Sequence, residues 1–144
     1  MSKQYDSIAL AGRVLIGVLF FMSGLSKLAA PAATQGFIAS VGLPAPVLSY
    51  ALSVAVEVLG SALLIAGVRT RFVAVGMAVF TIATALVFHK NVADQNQLIH
   101  FMKNIAITGG LLQVVAFGGG RFSVDHLLAR RSTVPADPAL QPAR

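Results

Sequence analysis

Four long apolar segments alternate with short polar segments along the chain. An α-helix needs about 20 residues to cross the hydrocarbon core of a bilayer, and each apolar segment is close to that length. The segments lie at about residues 8–28, 48–68, 72–88 and 98–117. This pattern predicts an all-α integral membrane protein built as a four-helix bundle.

The connections between these segments predict how the helices follow one another. Pro31 and the turn at residues 42–44 bound the first connection, in which residues 34–41 are predicted to form one interfacial turn. Only residues 69–71 separate the second and third segments, so these two helices are predicted to be antiparallel neighbours. The glycines at 118–120 end the fourth helix.

The end of the chain is more polar. Residues 123–131 are predicted to form a short amphipathic helix, because Leu127 and Leu128 lie beside Arg130 and Arg131. Residues 132–144 include three prolines and are predicted to be a disordered tail. We therefore expect one membrane domain over residues 1–131.

The composition agrees with a membrane protein. Charged residues make up 11% of the chain, whereas a soluble domain has about 25%. The net charge of +6 could indicate nucleic-acid binding, but the basic residues stand singly at the ends of apolar segments and form no patch. The absence of cysteine excludes disulfides, thiol chemistry within the chain and iron–sulfur clusters. A redox role would need a bound cofactor or a partner protein.

The basic residues also predict an orientation. Four spans place both termini on the same side, and cytoplasmic loops carry an excess of Lys and Arg. A cytoplasmic N-terminus puts seven basic residues inside and three outside. The inner seven are Lys3, Arg69, Arg71, Arg121, Arg130, Arg131 and Arg144, and the outer three are Lys27, Lys90 and Lys103. Both termini are therefore predicted to be cytoplasmic.

Glu57 is the one charged residue of the second apolar segment. Its position places it ~14 Å below the boundary at Leu48, close to the bilayer midplane. A charged side chain there costs about 2.5 kcal/mol or more unless it is paired, neutralised or hydrated. Other residues of the chain are therefore expected to meet Glu57, or Glu57 is expected to hold a proton.

Several polar residues enter the bilayer from the same predicted side as Glu57. On the fourth helix His100 and Asn104 share one face with Lys103 next to it, and His89 ends the third helix on that side. The sequence predicts an outward-facing pocket for a ligand or a proton, formed by Glu57, His89, His100, Lys103 and Asn104. Lys27 is expected at its rim.

Arg13 and Lys27 are the structural or ion-pair candidates. They share one stripe of the first helix with Gly17 and Gly24, and such small residues let membrane helices approach closely. Arg13 is expected at the cytoplasmic end, either as a partner of Glu57 or as an anchor whose side chain reaches the interface.

The pocket residues also have plainer interpretations. Glu57 could serve only in a structural ion pair, His89 could be an interfacial residue, and His100 could mark a hydrated helix start. The spacing of the three histidines matches no zinc signature, so no metal site is predicted. No nucleophile and base stand in a catalytic arrangement, so the sequence predicts no catalytic residue. An isolated chain is not expected to be an enzyme, although it could be a subunit of a membrane oxidoreductase.

Four stretches carry a family resemblance through their order and spacing. They are GRVLIGVLFFMSGLSKL at 12–28, EVLGSALLIAGVRTR at 57–71, FMKNIAITGG at 101–110 and GGGRFSVDHLL at 118–128. Through these four stretches the chain resembles the DoxX family of small bacterial inner-membrane proteins, particularly the short stand-alone members. The resemblance implies a four-helix bundle in the bacterial inner membrane, and the family's recurrent polar positions match Arg13, Lys27 and Glu57.

The resemblance also implies a functional setting. Members of the family are linked to a thiosulfate–quinone oxidoreductase, to secreted superoxide dismutase, and to catechol and quinone detoxification enzymes. The first hypothesis is therefore an accessory or assembly subunit in quinone- or thiol-linked redox metabolism and oxidative stress. A quinone is its candidate ligand, and its expected partners are the lipid bilayer, a membrane or secreted redox protein, and a second copy of the chain.

Two other hypotheses remain open at the level of sequence. A lone carboxylate at the midplane suits a proton-coupled small-molecule transporter. A buried ion pair is also compatible with a structural membrane scaffold that binds no ligand.

Overall fold

The computed structural model describes residues 3–132, which are 84% helical with no strand among them. Four of the helices are long and apolar enough to cross a membrane. We name them the first span (Lys3–Ala29), the second span (Pro46–Ala66), the third span (Thr70–Phe88) and the fourth span (Gln95–Phe117). The predicted all-α fold with four membrane-spanning helices is confirmed.

Two shorter helices complete the fold. The connecting helix, Pro31–Ser40, follows the first span, and the C-terminal helix, Val124–Ser132, follows the fourth. The connecting helix is longer than the turn predicted for residues 34–41, because it already begins at Pro31. Proline is favoured at the first position of a helix, since it has no N–H that would remain unsatisfied there and its fixed φ suits a helix. The tail predicted for residues 132–144 lies outside the described residues except for Ser132.

The second span is one continuous rod with an irregular centre. Its backbone is α-helical over Pro46–Ala55 and Ser61–Ala66, and between them Val56–Gly60 forms a π-helical turn. Single π-helical turns of this kind occur frequently at functional sites. Here the turn contains Glu57.

The connection between the second and third spans is tight. Gly67 adopts a φ of +73°, and the N–H of Val68 donates to the carbonyl of Leu63 (3.0 Å). This is the common way to end a helix with a residue in the left-handed conformation. Arg69 also has a positive φ, +43°, and the third span starts at the next residue.

A small core holds the spans together. Its buried apolar residues come from all four spans, namely Phe20, Leu64, Ala74, Met77, Ala78 and Leu111. Close helix contacts support this core at Gly24, where an added Cβ would lie 2.7 Å from Cγ2 of Val58 and 3.1 Å from Cβ of Glu57. Many large apolar side chains remain exposed, Leu15 and Leu48 among them, as is expected of a surface that faces lipid.

Candidate functional site

Lys27 and Glu57 form an ion pair between the first and second spans. The Nζ atom of Lys27 donates to Oε1 (2.8 Å) and Oε2 (2.7 Å) of Glu57. The hydroxyl of Ser23 lies between them, where it donates to Oε1 of Glu57 (3.3 Å) and accepts from Nζ of Lys27 (3.0 Å). Glu57 is buried, and 26% of the Lys27 side chain is exposed. The intramembrane carboxylate is therefore paired and hydrogen-bonded.

The backbone of both spans positions this pair. Ser23 and Lys27 are four residues apart and so lie on one face of the first span. Gly24 lies between them in sequence and leaves room for Val58 and for Cβ of Glu57. A larger residue than glycine would push apart the two helices that carry the charges.

A cavity of about 430 Å³ opens beside the ion pair. That volume is within the range of small-molecule sites, which are mostly apolar with a few polar groups. The apolar wall includes the rings of Phe20, Phe37, Phe80 and Phe88. The polar groups that line the cavity include Ser23, Lys27, Ser53, Glu57, Thr84, His89 and Asn104.

The connecting helix forms one side of this cavity. Phe37 stacks on Phe88 of the third span, with ring centroids 5.5 Å apart and an interplanar angle of 25°. The neighbouring Ile38 is buried, so the connecting helix packs against the bundle as well as following the first span. The cavity is therefore bounded by the connecting helix and by residues from all four spans.

The structure brings together some of the predicted pocket residues. Glu57, His89 and Asn104 line the cavity, and Lys27, which was expected at the rim, is the direct partner of Glu57. His100 stacks on His89 with ring centroids 5.0 Å apart but does not line the cavity, and Lys103 is exposed outside it. Whether any of these residues binds a ligand or carries a proton stays a prediction.

Arg13 lies away from Glu57 and is fully buried, with 0% exposure. Its Nη1 donates to the carbonyls of Leu64 and Ile65 (both 3.0 Å), and its Nη2 donates to the carbonyl of Phe122 (2.7 Å). The first two carbonyls belong to the last turn of the second span, where a positive charge is favourable. Arg13 thus joins the first span to the end of the second span and to the segment before the C-terminal helix.

Asp125 and Asp6 are two anchoring residues that the sequence did not reveal. Asp125 accepts from the backbone N–H groups of Arg69 (2.7 Å) and Thr70 (2.8 Å) and from the Thr70 hydroxyl (2.7 Å). It supplies the side-chain cap that the start of the third span lacks in its own sequence. Asp6 accepts from the backbone N–H of Arg121 (3.1 Å).

The environment of Asp125 changes its pKa. Partial burial acts to raise the pKa, but the hydrogen bonds from Thr70 and Arg69 and the positive charge of Arg13 oppose this effect. Together they hold the pKa of Asp125 below its ordinary value. Asp125 is therefore an ionised acceptor that holds the C-terminal helix against the third span.

The donors and acceptors of the cavity suit an organic ligand. Within residues 3–132 there is no group of three or more His, Asp or Glu side chains that could hold a metal ion. The Lys27 ammonium can donate to a carbonyl oxygen, and the Glu57 carboxylate can accept from a hydroxyl or take up a proton. The aromatic rings nearby offer flat apolar surfaces for stacking.

Comparison with known proteins gives one family and three relatives. The model of the DoxX family matches residues 8–90, more than half of the chain. Inner membrane protein YqjF of Escherichia coli (strain K12) is 35% identical over 131 residues, which cover 91% of this chain and 99% of that protein. Inner membrane protein YphA of the same organism is 30% identical over 124 residues, covering 83% and 89%.

The third relative comes from another bacterium. Putative oxidoreductase CatD of Bacillus subtilis (strain 168) is 31% identical over 115 residues, which cover 76% of this chain and 84% of that protein. No solved structure matches the chain at a significant level.

Proposed function

The chain belongs to the DoxX family of membrane proteins, and from this premise we propose that it is an accessory or assembly subunit in quinone- or thiol-linked redox metabolism. The cavity beside Glu57 binds the headgroup of a quinone or a similar small aromatic compound. The observation that carries this proposal is the Lys27–Glu57 pair in the wall of a largely apolar, aromatic-lined cavity. The name of the relative from Bacillus subtilis supports the redox setting.

The protein is a multi-pass protein of the bacterial inner membrane, as its inner-membrane relatives and its four apolar helices indicate. In the proposed topology neighbouring spans are antiparallel and both termini are cytoplasmic. The distribution of Lys and Arg residues supports this orientation. The Glu57 cavity then opens toward the periplasmic side, where a membrane or secreted redox partner would have access to it.

A quinone fits the groups that are present. Lys27 would donate to one carbonyl oxygen, and Asn104, which also lines the cavity, would donate to the other. Phe20, Phe80 and Phe88 would hold the ring. A bound quinone would supply the redox chemistry, and the residues of this chain would bind and orient it and hold a proton at Glu57.

The proposal is tested by titrating the purified protein with short-chain ubiquinone and menaquinone analogues. Because hydrogen bonds to charged groups contribute about 1.5–3 kcal/mol, Lys27→Met and Glu57→Gln should each weaken binding about tenfold or more. Lys90→Met is the matched control, since Lys90 is exposed and does not line the cavity. If the unaltered protein and the three variants bind the analogues equally well, the cavity is not the quinone site.

Lys103→Met tests whether Lys27 or Lys103 binds the quinone. The sequence favours Lys103 as a pocket residue, whereas the lining of the cavity favours Lys27. We expect Lys27→Met to weaken binding more than Lys103→Met. The reverse order would move the ligand toward His100 and the start of the fourth span.

A structural scaffold is the second candidate, because the charges of Lys27 and Glu57 already satisfy each other. The double variant Lys27→Met/Glu57→Gln separates the two functions, since it removes both charges together. If the pair is only structural, the double variant should retain its cellular function. If the cavity binds a quinone, the double variant should fold but fail to bind the analogues.

A further inference from the structure

A second cavity of about 730 Å³ lies at the opposite ends of the spans. The first residues of the third span and the last residue of the fourth line it, together with the glycine loop 118–120 and the start of the C-terminal helix. It shares no lining residue with the Glu57 cavity. We name it the arginine cavity, because its lining includes Arg69, Arg71 and Arg121.

The carboxylates of the arginine cavity do not pair with these arginines. Asp125 uses both oxygens to accept from Arg69, through its backbone N–H, and from Thr70. Asp6 is only 1% exposed and accepts from the backbone N–H of Arg121. The salt bridge found among residues 3–132 joins Lys27 to Glu57, in the other cavity. Within residues 3–132, therefore, no carboxylate forms an ion pair with Arg69, Arg71 or Arg121, and an external anion would not have to displace one.

Arg13 adds to the positive charge behind this cavity. It is buried and donates only to backbone carbonyls, and its charge acts on Asp125. Arg13 and the three lining arginines outnumber the two carboxylates. The arginine cavity thus has an excess of positive charge, and an anion would be attracted to it.

The glycine loop gives the cavity its form. Gly118 has a φ of +76°, and an added Cβ there would lie 3.3 Å from Nε of Arg71. Arg71 therefore lies directly over the backbone of Gly118. Gly120 also has a positive φ, +70°, so the loop needs glycine at both positions.

An apolar surface adjoins the cationic groups. Phe72 is 79% exposed and Phe117 is 67% exposed, and both line the arginine cavity at the ends of their spans. Aromatic side chains are enriched where the hydrocarbon of a membrane meets its headgroups. The cavity thus combines an anion-binding face with a surface suited to acyl chains.

We propose that the arginine cavity binds a phosphate ester, with Arg71 and Arg121 as its main ligands and Arg69 beside them. The planar guanidinium matches phosphate oxygens in a bidentate geometry. Basic pockets at the ends of membrane helices bind phospholipid headgroups in this way. Two sources share the chemistry: an anionic phospholipid such as phosphatidylglycerol, whose chains would lie along Phe72 and Phe117, and a soluble phosphate ester.

The test uses the full-length protein in detergent, with bound lipid measured by native mass spectrometry. The probes are phosphatidylglycerol and phosphatidylcholine, with sn-glycerol 3-phosphate as a soluble competitor. Phosphatidylglycerol should bind more tightly than phosphatidylcholine because its headgroup has a net negative charge. Each arginine near a membrane surface contributes about fivefold in affinity for an anionic lipid, so Arg71→Gln/Arg121→Gln should weaken binding about 25-fold.

Arg131→Gln is the matched control, because it removes one positive charge from the C-terminal helix outside the cavity lining. It should weaken the binding of phosphatidylglycerol by no more than about fivefold, well short of the loss expected for the double variant. Arg71→Lys keeps the charge without the planar fork and should give an intermediate loss. Circular dichroism shows whether each variant is folded.

Competition identifies the source of the phosphate. If millimolar sn-glycerol 3-phosphate leaves phosphatidylglycerol bound, the ligand is the lipid headgroup. If sn-glycerol 3-phosphate displaces phosphatidylglycerol from the unaltered protein, but does not displace the lipid that still binds to the double variant, the ligand is a soluble phosphate ester. Equal binding of phosphatidylglycerol to the unaltered protein and to a folded double variant would overturn the proposal.

Discussion

Lys27 contacts both carboxylate oxygens of Glu57, at 2.8 and 2.7 Å, and so joins the first span to the π-helical turn of the second. The contact places two opposite charges inside a bundle that exposes mostly apolar side chains to its surroundings. A charge in such a place is tolerated because its partner is present. Removing one member of the pair therefore has a different consequence from removing both.

We predict that Lys27→Met destabilises the protein more than the double variant Lys27→Met/Glu57→Gln. The single variant leaves the Glu57 carboxylate buried without its cation, which costs about 3 kcal/mol when a buried pair is broken. The double variant leaves two neutral groups. Thermal unfolding of both variants in detergent, followed by circular dichroism, measures the difference. Equal loss in the two variants would contradict this prediction, because the single variant would then carry no cost for an unpaired buried charge.

The close approach of the first two spans gives a second prediction. Gly24→Ala should destabilise the bundle by about 1–3 kcal/mol, because the new methyl group meets Val58 and Glu57 and the packed helices must move apart. Gly12→Ala is the control on the same helix, since nothing lies within 4 Å of its added Cβ. That control should be neutral or slightly stabilising, because alanine is a better helix former than glycine. A stable Gly24→Ala variant would show that the spans are less tightly packed at this point.

The four spans could be predicted from the sequence, and the partner of Glu57 could not. Long apolar segments follow directly from the thickness of a bilayer, so the pattern identifies them without tertiary information. The partner depends on side-chain direction and on the π-helical turn at Val56–Gly60. Helical side chains lean toward the N-terminus of their helix, so the Lys27 side chain leans toward Ser23 and the middle of the membrane. The depth of the Lys27 backbone alone does not reveal this direction.

The fourth span shows a second reason why the site was only partly predictable. Helical spacing places Asn104 next to Lys103, but it does not say which of the two faces the bundle. In the structure Asn104 lines the Glu57 cavity and Lys103 is exposed. Packing against residues far away in sequence decides which face of a helix lies inside the bundle. The sequence of that one helix does not show which face it is.

Asp6 and Asp125 were missed because their partners are backbone N–H groups. Asp125 is separated by 55 residues from Thr70, and Asp6 by 115 residues from Arg121. No pattern of residue types marks a backbone donor at such a distance. A carboxylate in the first turn of a short polar helix, as Asp125 is, was the one available signal.

The buried guanidinium of Arg13 gives a third prediction. Arg13→Met should cost on the order of 2–4 kcal/mol, because the carbonyls of Leu64, Ile65 and Phe122 lose their charged donor. Arg13→Lys should recover only part of this stability, since one ammonium cannot span the three carbonyls in the manner of a planar fork. Hydrogen exchange at the C-terminal helix should accelerate in Arg13→Met, because the contact to Phe122 holds the segment that precedes this helix. Exchange that stays as slow as in the unaltered protein would show that the other contacts of the C-terminal helix hold it without Arg13.

The lowered pKa of Asp125 predicts that docking of the C-terminal helix weakens in acid. A carboxylate whose pKa is lower in the folded state adds stability that is fully present above its unfolded pKa of about 3.9, and this stability is lost as the pH falls toward the folded pKa. Exchange of the Arg69 and Thr70 amides, corrected for the intrinsic effect of pH, should therefore be constant from pH 7 to about pH 5 and should increase below about pH 4.

Asp125→Asn should show faster exchange at neutral pH, because an amide accepts more weakly than a carboxylate, and should lose the acid-dependent step. If the step persists in Asp125→Asn, another carboxylate controls the docking, and Asp6 beside the glycine loop is the next to replace.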